Sequence, residues 1–170
     1  MRLMPTVCGL AALAFAQSAA AVTVAPISFS PEFEAELNDE IGVREGDILR
    51  RDAERAVAAA LARRGVALDG AGGTIEIVIV DATPNRPTLE QLSDEPGLDY
   101  MRSISIGGAE LRAVLRDAEG NVLTEVEHRS YNHSITDASN FSPTTWSEAR
   151  HAIRRFANKV ADAYVAHSGR

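Results

Sequence analysis

The stretch Thr74-Ile75-Glu76-Ile77-Val78-Ile79-Val80-Asp81 is the most apolar run of the chain outside its N-terminus. Most of its residues are β-branched, and such side chains pack well on a pleated sheet but lose rotamer freedom in a helix. Because the run is also too short for a core helix, it predicts a β-strand. Isoleucines form one face, and Val78 and Val80 make the other face apolar, which is typical of a central strand covered on both sides.

The N-terminus has the pattern of a secretory signal peptide. Met1 and Arg2 precede an apolar segment at positions 3–16, and small residues lead up to Ala21. This pattern predicts cleavage after Ala21, which leaves residues 22–170 as a single exported domain, periplasmic or secreted. The apolar part is shorter than the roughly 20 residues that span a bilayer, so we expect no transmembrane segment after cleavage.

Cysteine content and charge exclude several classes of function. Cys8 is the only cysteine, and it lies before most of the apolar segment, which does not favour lipidation. The mature chain is therefore expected to have no disulfide, thiolate metal site or cysteine nucleophile. A formal net charge of −7 argues against nucleic acid as a partner.

The segment before the apolar run predicts a strand and two helices. Residues 22–29 alternate well enough for a first strand, in which Pro26 indicates an edge position or a break. Ser30 followed by proline predicts the start of a short helix. Gly42 and Gly46 are expected to interrupt the chain, and Asp47 to cap a second helix that ends near the glycine at position 65.

The segment after the run predicts a long hairpin. We expect one strand over residues 103–117, with a bulge at its adjacent glycines, then a turn and a fourth strand from Val122 to about Tyr131. The favoured register places Arg112 opposite Glu125.

A final helix is predicted from apolar residues at three- and four-residue spacing. Thr145 and Glu148 form a possible capping box at its start. The apolar stripe comprises Trp146, Ala149, Ile153, Phe156, Val160, Tyr164 and His167.

Together these elements predict an α+β fold with a four-stranded mixed sheet and two long helices on one face. The order is strand, helix, strand, strand, strand, helix, and the first crossover makes the first two strands parallel. In this topology the irregular segments 30–46, 82–102 and 132–144 lie at one end of the sheet. Loops held by a rigid sheet are where binding sites tend to occur.

The element order resembles that of small exported α+β domains of Gram-negative envelopes, such as the amino-terminal domain of TolB or LptE. In addition, Pro84-Asn85-Arg86-Pro87-Thr88 together with Ile106-Gly107-Gly108-Ala109 is similar to a pattern in uncharacterised secreted bacterial proteins. The first resemblance implies an envelope protein, and neither implies an activity or a functional residue.

The leading hypothesis is a non-catalytic exported protein that binds an envelope component, such as another envelope protein, through the loop-bearing end, with no cofactor. Arginine and tyrosine often anchor interfaces, so Arg86 and Tyr100 are candidate binding residues. The remaining candidates in the same irregular segments are Asn85, Asp94, Asp99 and His133.

Two alternative functions are also compatible with the sequence. The first is a small hydrolase or metal-dependent enzyme that uses His133 with nearby acids, although the spacing of Asp94, Glu95 and Asp99 matches no calcium loop. A zinc site with His128 would require the strand to end between the two histidines. The second alternative is a structural accessory whose first strand pairs with the edge of a partner sheet.

Overall fold

A computed structural model describes residues 21–136, 138 and 143–168. The predicted signal peptide therefore lies almost entirely outside the described residues. The elements run β1 (Thr23–Val24), β2 (Ser28–Phe29), α1 (Pro31–Glu36), a π-helical turn (Leu37–Ile41), α2 (Val43–Ala62), β3 (Thr74–Thr83), α3 (Leu89–Asp94), β4 (Gly108–Arg116), β5 (Val122–Tyr131) and α4 (Ser147–Ser168).

The predicted α+β fold with a mixed sheet is confirmed. The short strands β1 and β2 both run parallel to β3, and β3, β4 and β5 are successively antiparallel. Buried side chains of α2 and α4 join the inward side chains of β3 and β4 in one hydrophobic core. Tyr164 of α4 and Trp146, which directly precedes that helix, are fully buried in this core, as expected for core residues.

The predicted first strand is split into β1 and β2 around Pro26. It lies at the sheet edge, as predicted, but part of its outer side is already bonded within the chain. The backbone NH of Val22 donates to Ala67 O at 2.9 Å, and Arg50 Nε donates to Ile27 O at 2.9 Å. The sheet edge formed by β1 and β2 therefore does not have free backbone groups along its whole length.

The outer face of β3 is less covered than the sequence predicts. Val78 and Val80 are half-buried, and Glu76 is exposed. Charged side chains spread over this face of the sheet and form ion pairs such as Arg116–Glu76 and Arg112–Glu127. The expectation of a strand covered on both sides is wrong, because both long helices contribute to the core on the isoleucine face.

The start of α2 also differs from the prediction. Gly42, with φ of 103°, interrupts the helix as expected, but α2 begins at Val43, so Asp47 is inside it and does not cap it. Gly46 lies within this helix and is buried. A Cβ there would approach Leu37 Cδ1 to 3.0 Å and Phe29 Cε2 to 3.2 Å, so this glycine serves close packing rather than interruption.

The third strand is shorter than predicted. β4 begins only at Gly108, and residues 103–107 lie outside the sheet. Ser105 instead bonds to the loop after β3, where its NH donates to Asn85 O at 3.0 Å and its hydroxyl donates to Pro84 O. The bulges lie at Val80 and near Leu123, not at the paired glycines.

The hairpin register is shifted by two residues from the predicted one. Arg112 lies opposite Glu127 rather than Glu125, with Nε 3.1 Å from Oε1. A two-residue shift leaves each side chain on its predicted face. One residue of the shift comes from the turn, where Asp117 lies opposite Asn121 and its NH donates to Asn121 O at 3.0 Å, and the other comes from the bulge near Leu123.

No described helix is long and apolar enough to cross a membrane.

Candidate functional site

The three irregular segments meet at one end of the sheet, as the predicted topology requires. Asn85 N donates to Thr145 O at 2.7 Å, and Thr88 Oγ1 donates to Ile41 O at 2.7 Å. Asn85 Nδ2 also donates to Asn132 Oδ1 at 2.6 Å. The loop that follows β3 is therefore tied to both of the other segments.

Asn85 is the centre of this junction and is fully buried. Its Oδ1 accepts from the backbone NH of Glu148 at 2.9 Å, and its Nδ2 also donates to Ser105 O at 3.3 Å. Gly107 packs so tightly here that a Cβ would lie 2.4 Å from Asn85 Cγ. Asn85 thus satisfies one of the free NH groups at the start of α4 from a position 63 residues earlier in the chain.

This arrangement replaces the predicted capping box of the last helix. Thr144 and Ser147 bond to each other, with Thr144 N donating to Ser147 Oγ at 2.9 Å. The carboxylate of Glu148 accepts instead from Asn132 Nδ2 at 3.4 Å. The prediction of a Thr145–Glu148 box was wrong because Thr144 and Ser147 pair one position earlier, and Glu148 takes its partners from distant residues.

Arg86 follows Asn85 and is also buried, with 7% of its surface exposed. Its Nη1 donates to the carbonyls of Tyr100 at 3.1 Å and Met101 at 2.9 Å. The guanidinium carbon lies 5.9 Å from the centre of the Tyr100 ring. Arg86 therefore holds residues 100–101 of the loop, although Nε is buried without a hydrogen-bond partner among the described residues.

Beside Arg86 lies an open cleft of about 390 Å³, which we call the loop-end cleft. One wall comes from the end of β3 and the residues that follow it, and the other from α3 and residues 98–105. The lining residues are Glu36, Thr83, Pro84, Arg86, Pro87, Gln91, Glu95, Leu98, Ser103, Ile104 and Ser105.

A carboxyl group with a raised pKa lies at the same cleft. Burial is the main cause of the higher pKa of Glu36, and the negative charges of Asp81 and Glu40 raise it further. Asp81 in turn accepts a hydrogen bond from the Tyr131 hydroxyl, whose pKa is raised by burial and by this contact. Acidic groups from α1, the π-helical turn and β3 therefore lie close together at the cleft wall.

The other predicted site residues are less closely grouped. Asp94 is exposed at the end of α3, and Tyr100 is 38% exposed. Asp99 is also exposed, and its Oδ1 accepts from the backbone NH groups of Met101 at 2.8 Å and Arg102 at 2.9 Å. This carboxylate shapes the turn of the loop.

The two histidines of the zinc hypothesis have different environments. β5 ends at Tyr131, between them, but His128 lies on the inner side of the strand and its Nε2 is buried without a partner in the described chain. His133 is exposed. Over the described ranges, no group of three or more His, Cys, Asp or Glu side chains could hold a metal ion.

The serines of the cleft form no contact typical of a nucleophile in the described part of the chain. Ser103 Oγ accepts from Asp99 N at 3.0 Å, and the hydroxyl of Ser105 donates to a backbone carbonyl. Neither serine bonds to a described histidine. The features that sequence reasoning missed are the cleft itself and the roles of Gln91, Ser103 and Glu36 in its walls, for which no motif gives a signal.

No protein-family model and no curated protein sequence matches the chain. Among solved structures, the chain is similar to a PelC variant dodecamer from Paraburkholderia phytofirmans, with 11% identity, a TM-score of 0.49, and coverage of 86% of this chain and 90% of that one. A Xanthomonas campestris protein of family model DUF330 has 12% identity and a TM-score of 0.47, covering 97% and 94% of the two chains.

A minor lipoprotein from Acinetobacter baumannii has 13% identity and a TM-score of 0.39, covering 87% of this chain and 94% of the other. At these identities the similarity concerns the path of the chain alone. None of these three structures is TolB or LptE, so the resemblance to those proteins stays at the level of element order.

Proposed function

We propose that this chain is an exported, non-catalytic protein of the bacterial envelope, and that it binds another envelope component at the loop-end cleft. The observation that carries the proposal is the convergence of three irregular segments on one junction beside an open cleft of about 390 Å³. The signal peptide pattern supports the location, because it directs the chain out of the cytoplasm.

The nature of the cleft supports binding rather than catalysis. Its walls combine apolar residues, among them Leu98 and Ile104, with a few polar side chains, which is typical of ligand sites. A hydrolase would need a nucleophile and a base within hydrogen-bond reach, and the described contacts of Ser103 and Ser105 provide no such pair. No described contact favours the enzyme that would use His133.

Burial changes which predicted residues are suited to direct contact with a partner. Tyr100 is on the rim of this end and keeps 38% of its surface exposed, whereas Asn85 is fully buried and holds the junction together. We therefore assign the partner contact to Tyr100 and the cleft walls, with Asn85 as a positioning residue. Asp94, Asp99 and His133 stay as candidates on the exposed surface around the cleft.

Site-specific photo-crosslinking in intact cells tests this proposal. A photoreactive benzoylphenylalanine replaces Tyr100 in one variant and Val122, which is 50% exposed at the opposite end of the sheet, in a matched control. We expect a crosslinked product from position 100 only. Ile104→Asp, which introduces a charge into the apolar wall, should remove that product. Equal crosslinking from both positions, or from neither, would contradict the proposal.

A further inference from the structure

Arg86 is a buried cation with no carboxylate partner among the described residues. Two backbone carbonyls accept from Nη1, but they supply no full negative charge. Nε is buried without an acceptor, and Nη2 bonds to no described residue. A buried ion without a counter-charge is unfavourable, so the guanidinium of Arg86 lacks the negative group that such a buried cation normally has.

Two neighbouring side chains at the cleft also have protons that no described acceptor takes. Gln91 Oε1 accepts from the backbone NH of Thr88 at 3.0 Å, which leaves its NH2 group as a donor. Ser103 Oγ accepts from Asp99 N at 3.0 Å, which leaves its hydroxyl proton. The loop-end cleft is therefore lined by donors from three side chains, and an acceptor-rich group matches it.

The acidic residues of the same cleft limit the charge that a ligand can carry. Glu36 and Glu95 both line it, and Asp81 lies near enough to Glu36 to raise the pKa of that carboxyl group. A doubly charged phosphate would be repelled by these groups. A carboxylate carries a single charge, and its two oxygens can accept from the guanidinium and from a neighbouring side-chain donor together.

From these observations, we propose that the loop-end cleft binds a carboxylate group through the guanidinium of Arg86, with Gln91 and Ser103 as further donors. The apolar wall, which includes Pro84, Leu98 and Ile104, takes a short hydrocarbon body. Two sources carry this chemistry, a small organic acid and the C-terminus of a peptide. The inference rests on the proposed function, because it assigns a ligand class to the same cleft.

NMR titration of the mature, ¹⁵N-labelled protein tests the assignment through the Nε–Hε signal of Arg86. Butyrate is the probe for a small acid, and N-acetyl-trialanine with a free C-terminus is the probe for a peptide. We expect a saturable shift of the Arg86 signal with at least one of them. The amidated tripeptide should give no shift, and phosphate should bind at least about ten-fold more weakly.

Two variants test whether the donors act as assigned. Arg86→Lys retains the charge but loses the planar guanidinium, and Gln91→Glu retains the acceptor for Thr88 N while it replaces a donor with a negative charge. We expect each to weaken binding about ten-fold or more, since a charge-assisted bond is lost or opposed. Arg102→Lys, on an exposed arginine of the same loop, is the matched control and should bind as the parent does.

Gln91→Glu keeps the test informative if Arg86→Lys fails to fold. Unchanged carboxylate binding by Gln91→Glu would overturn the assignment. So would a titration in which only the Nε–Hε signal of the exposed Arg102 shifts. Absence of any carboxylate binding would overturn it as well. If the crosslink from position 100 still forms in that case, the proposed function stands and only the ligand class is wrong.

Discussion

Asn85 shows how one buried side chain joins segments that are far apart in the sequence. Its amide group bonds to the backbone of Glu148 and Ser105 and to the side chain of Asn132. Removing the side chain would break each of these hydrogen bonds, although Asn132 Oδ1 would still accept from Gly107 N at 3.3 Å. A buried polar group without a partner costs about 1–3 kcal/mol, and several such groups share this one residue.

We therefore expect Asn85→Ala to lower the free energy of unfolding by about 2–4 kcal/mol, as measured by urea denaturation. The matched control is Asn38→Ala, at an exposed asparagine, which should change stability by less than about 0.5 kcal/mol. Equal effects of the two substitutions would contradict the role of Asn85 as the junction.

His128 predicts a dependence of stability on pH. Burial lowers the pKa of His128 below its ordinary value, and the positive charges of Lys159 and Arg155 lower it further. The unfolded chain therefore takes up the proton at a higher pH than the folded chain does. The stabilising contribution is complete above about pH 6.5 and decreases as the pH falls from there towards the folded-state pKa.

Thermal melting of His128→Leu tests this dependence. Between about pH 7.5 and pH 5.5, we expect a smaller decrease in Tm for the variant than for the parent protein, because one group with different pKa values in the two states is gone. Thr124→Leu, on the same inner side of β5, controls for the added leucine. An identical decrease in parent and variant would show that His128 does not contribute.

At the scale of elements, the hairpin of β4 and β5 shows two separate effects. Alternation of apolar and polar residues determines the face of each side chain, whereas the turn and a bulge determine its cross-strand partner. Alternation assigns each residue to a face, and the predicted faces of Leu111 and Arg112 are retained. The residue opposite each one depends on the length of the turn and on bulges. Here the turn is one residue longer than predicted, and the bulge near Leu123 adds a second residue. The cross-strand partner of Arg112 is therefore Glu127.

A double-mutant cycle tests that register. We expect a coupling of about 0.2–1 kcal/mol between Arg112→Ala and Glu127→Ala in the free energy of unfolding, because this exposed pair is 3.1 Å apart. The same cycle with Glu125→Ala should give a coupling near zero. A larger coupling with Glu125 would support the register expected from the sequence instead.

On the scale of the whole molecule, the predicted cleavage position of the signal peptide lies directly before the first buried residue of the fold. The signal pattern predicts cleavage after Ala21, so that Val22 becomes the first residue. Val22 is buried and forms a bridge to residues 67–69, with its NH group 2.9 Å from Ala67 O. The mature chain would therefore begin directly at a residue that belongs to the fold.

Intact mass measurement of the protein from the periplasm or the medium tests this expectation. We expect a mass that corresponds to residues 22–170, and only the full-length mass when cells accumulate unprocessed precursor. A mature protein that retains residues 1–21 would contradict the signal peptide assignment, whereas a start displaced by a few residues would revise the cleavage position alone.

The sequence by itself was sufficient to predict the α+β class, the central strand β3, the split edge strand and the apolar stripe of α4. These features follow from local periodicity, β-branched residues and proline, which act within a few neighbouring positions. The gathering of three irregular segments at one end also followed, because strand order and direction determine where the connections lie.

Only the tertiary structure decided the hairpin register, the start of α2, the burial of Asn85 and Arg86, and the cleft beside them. Each depends on contacts between residues far apart in the chain, such as Asn85 with Glu148, and no local pattern encodes such a contact. Asparagine and arginine in a loop are usually exposed, and here the surrounding segments bury both of them. The physical reason is that burial and hydrogen-bond partners belong to the packed chain and not to the individual residue.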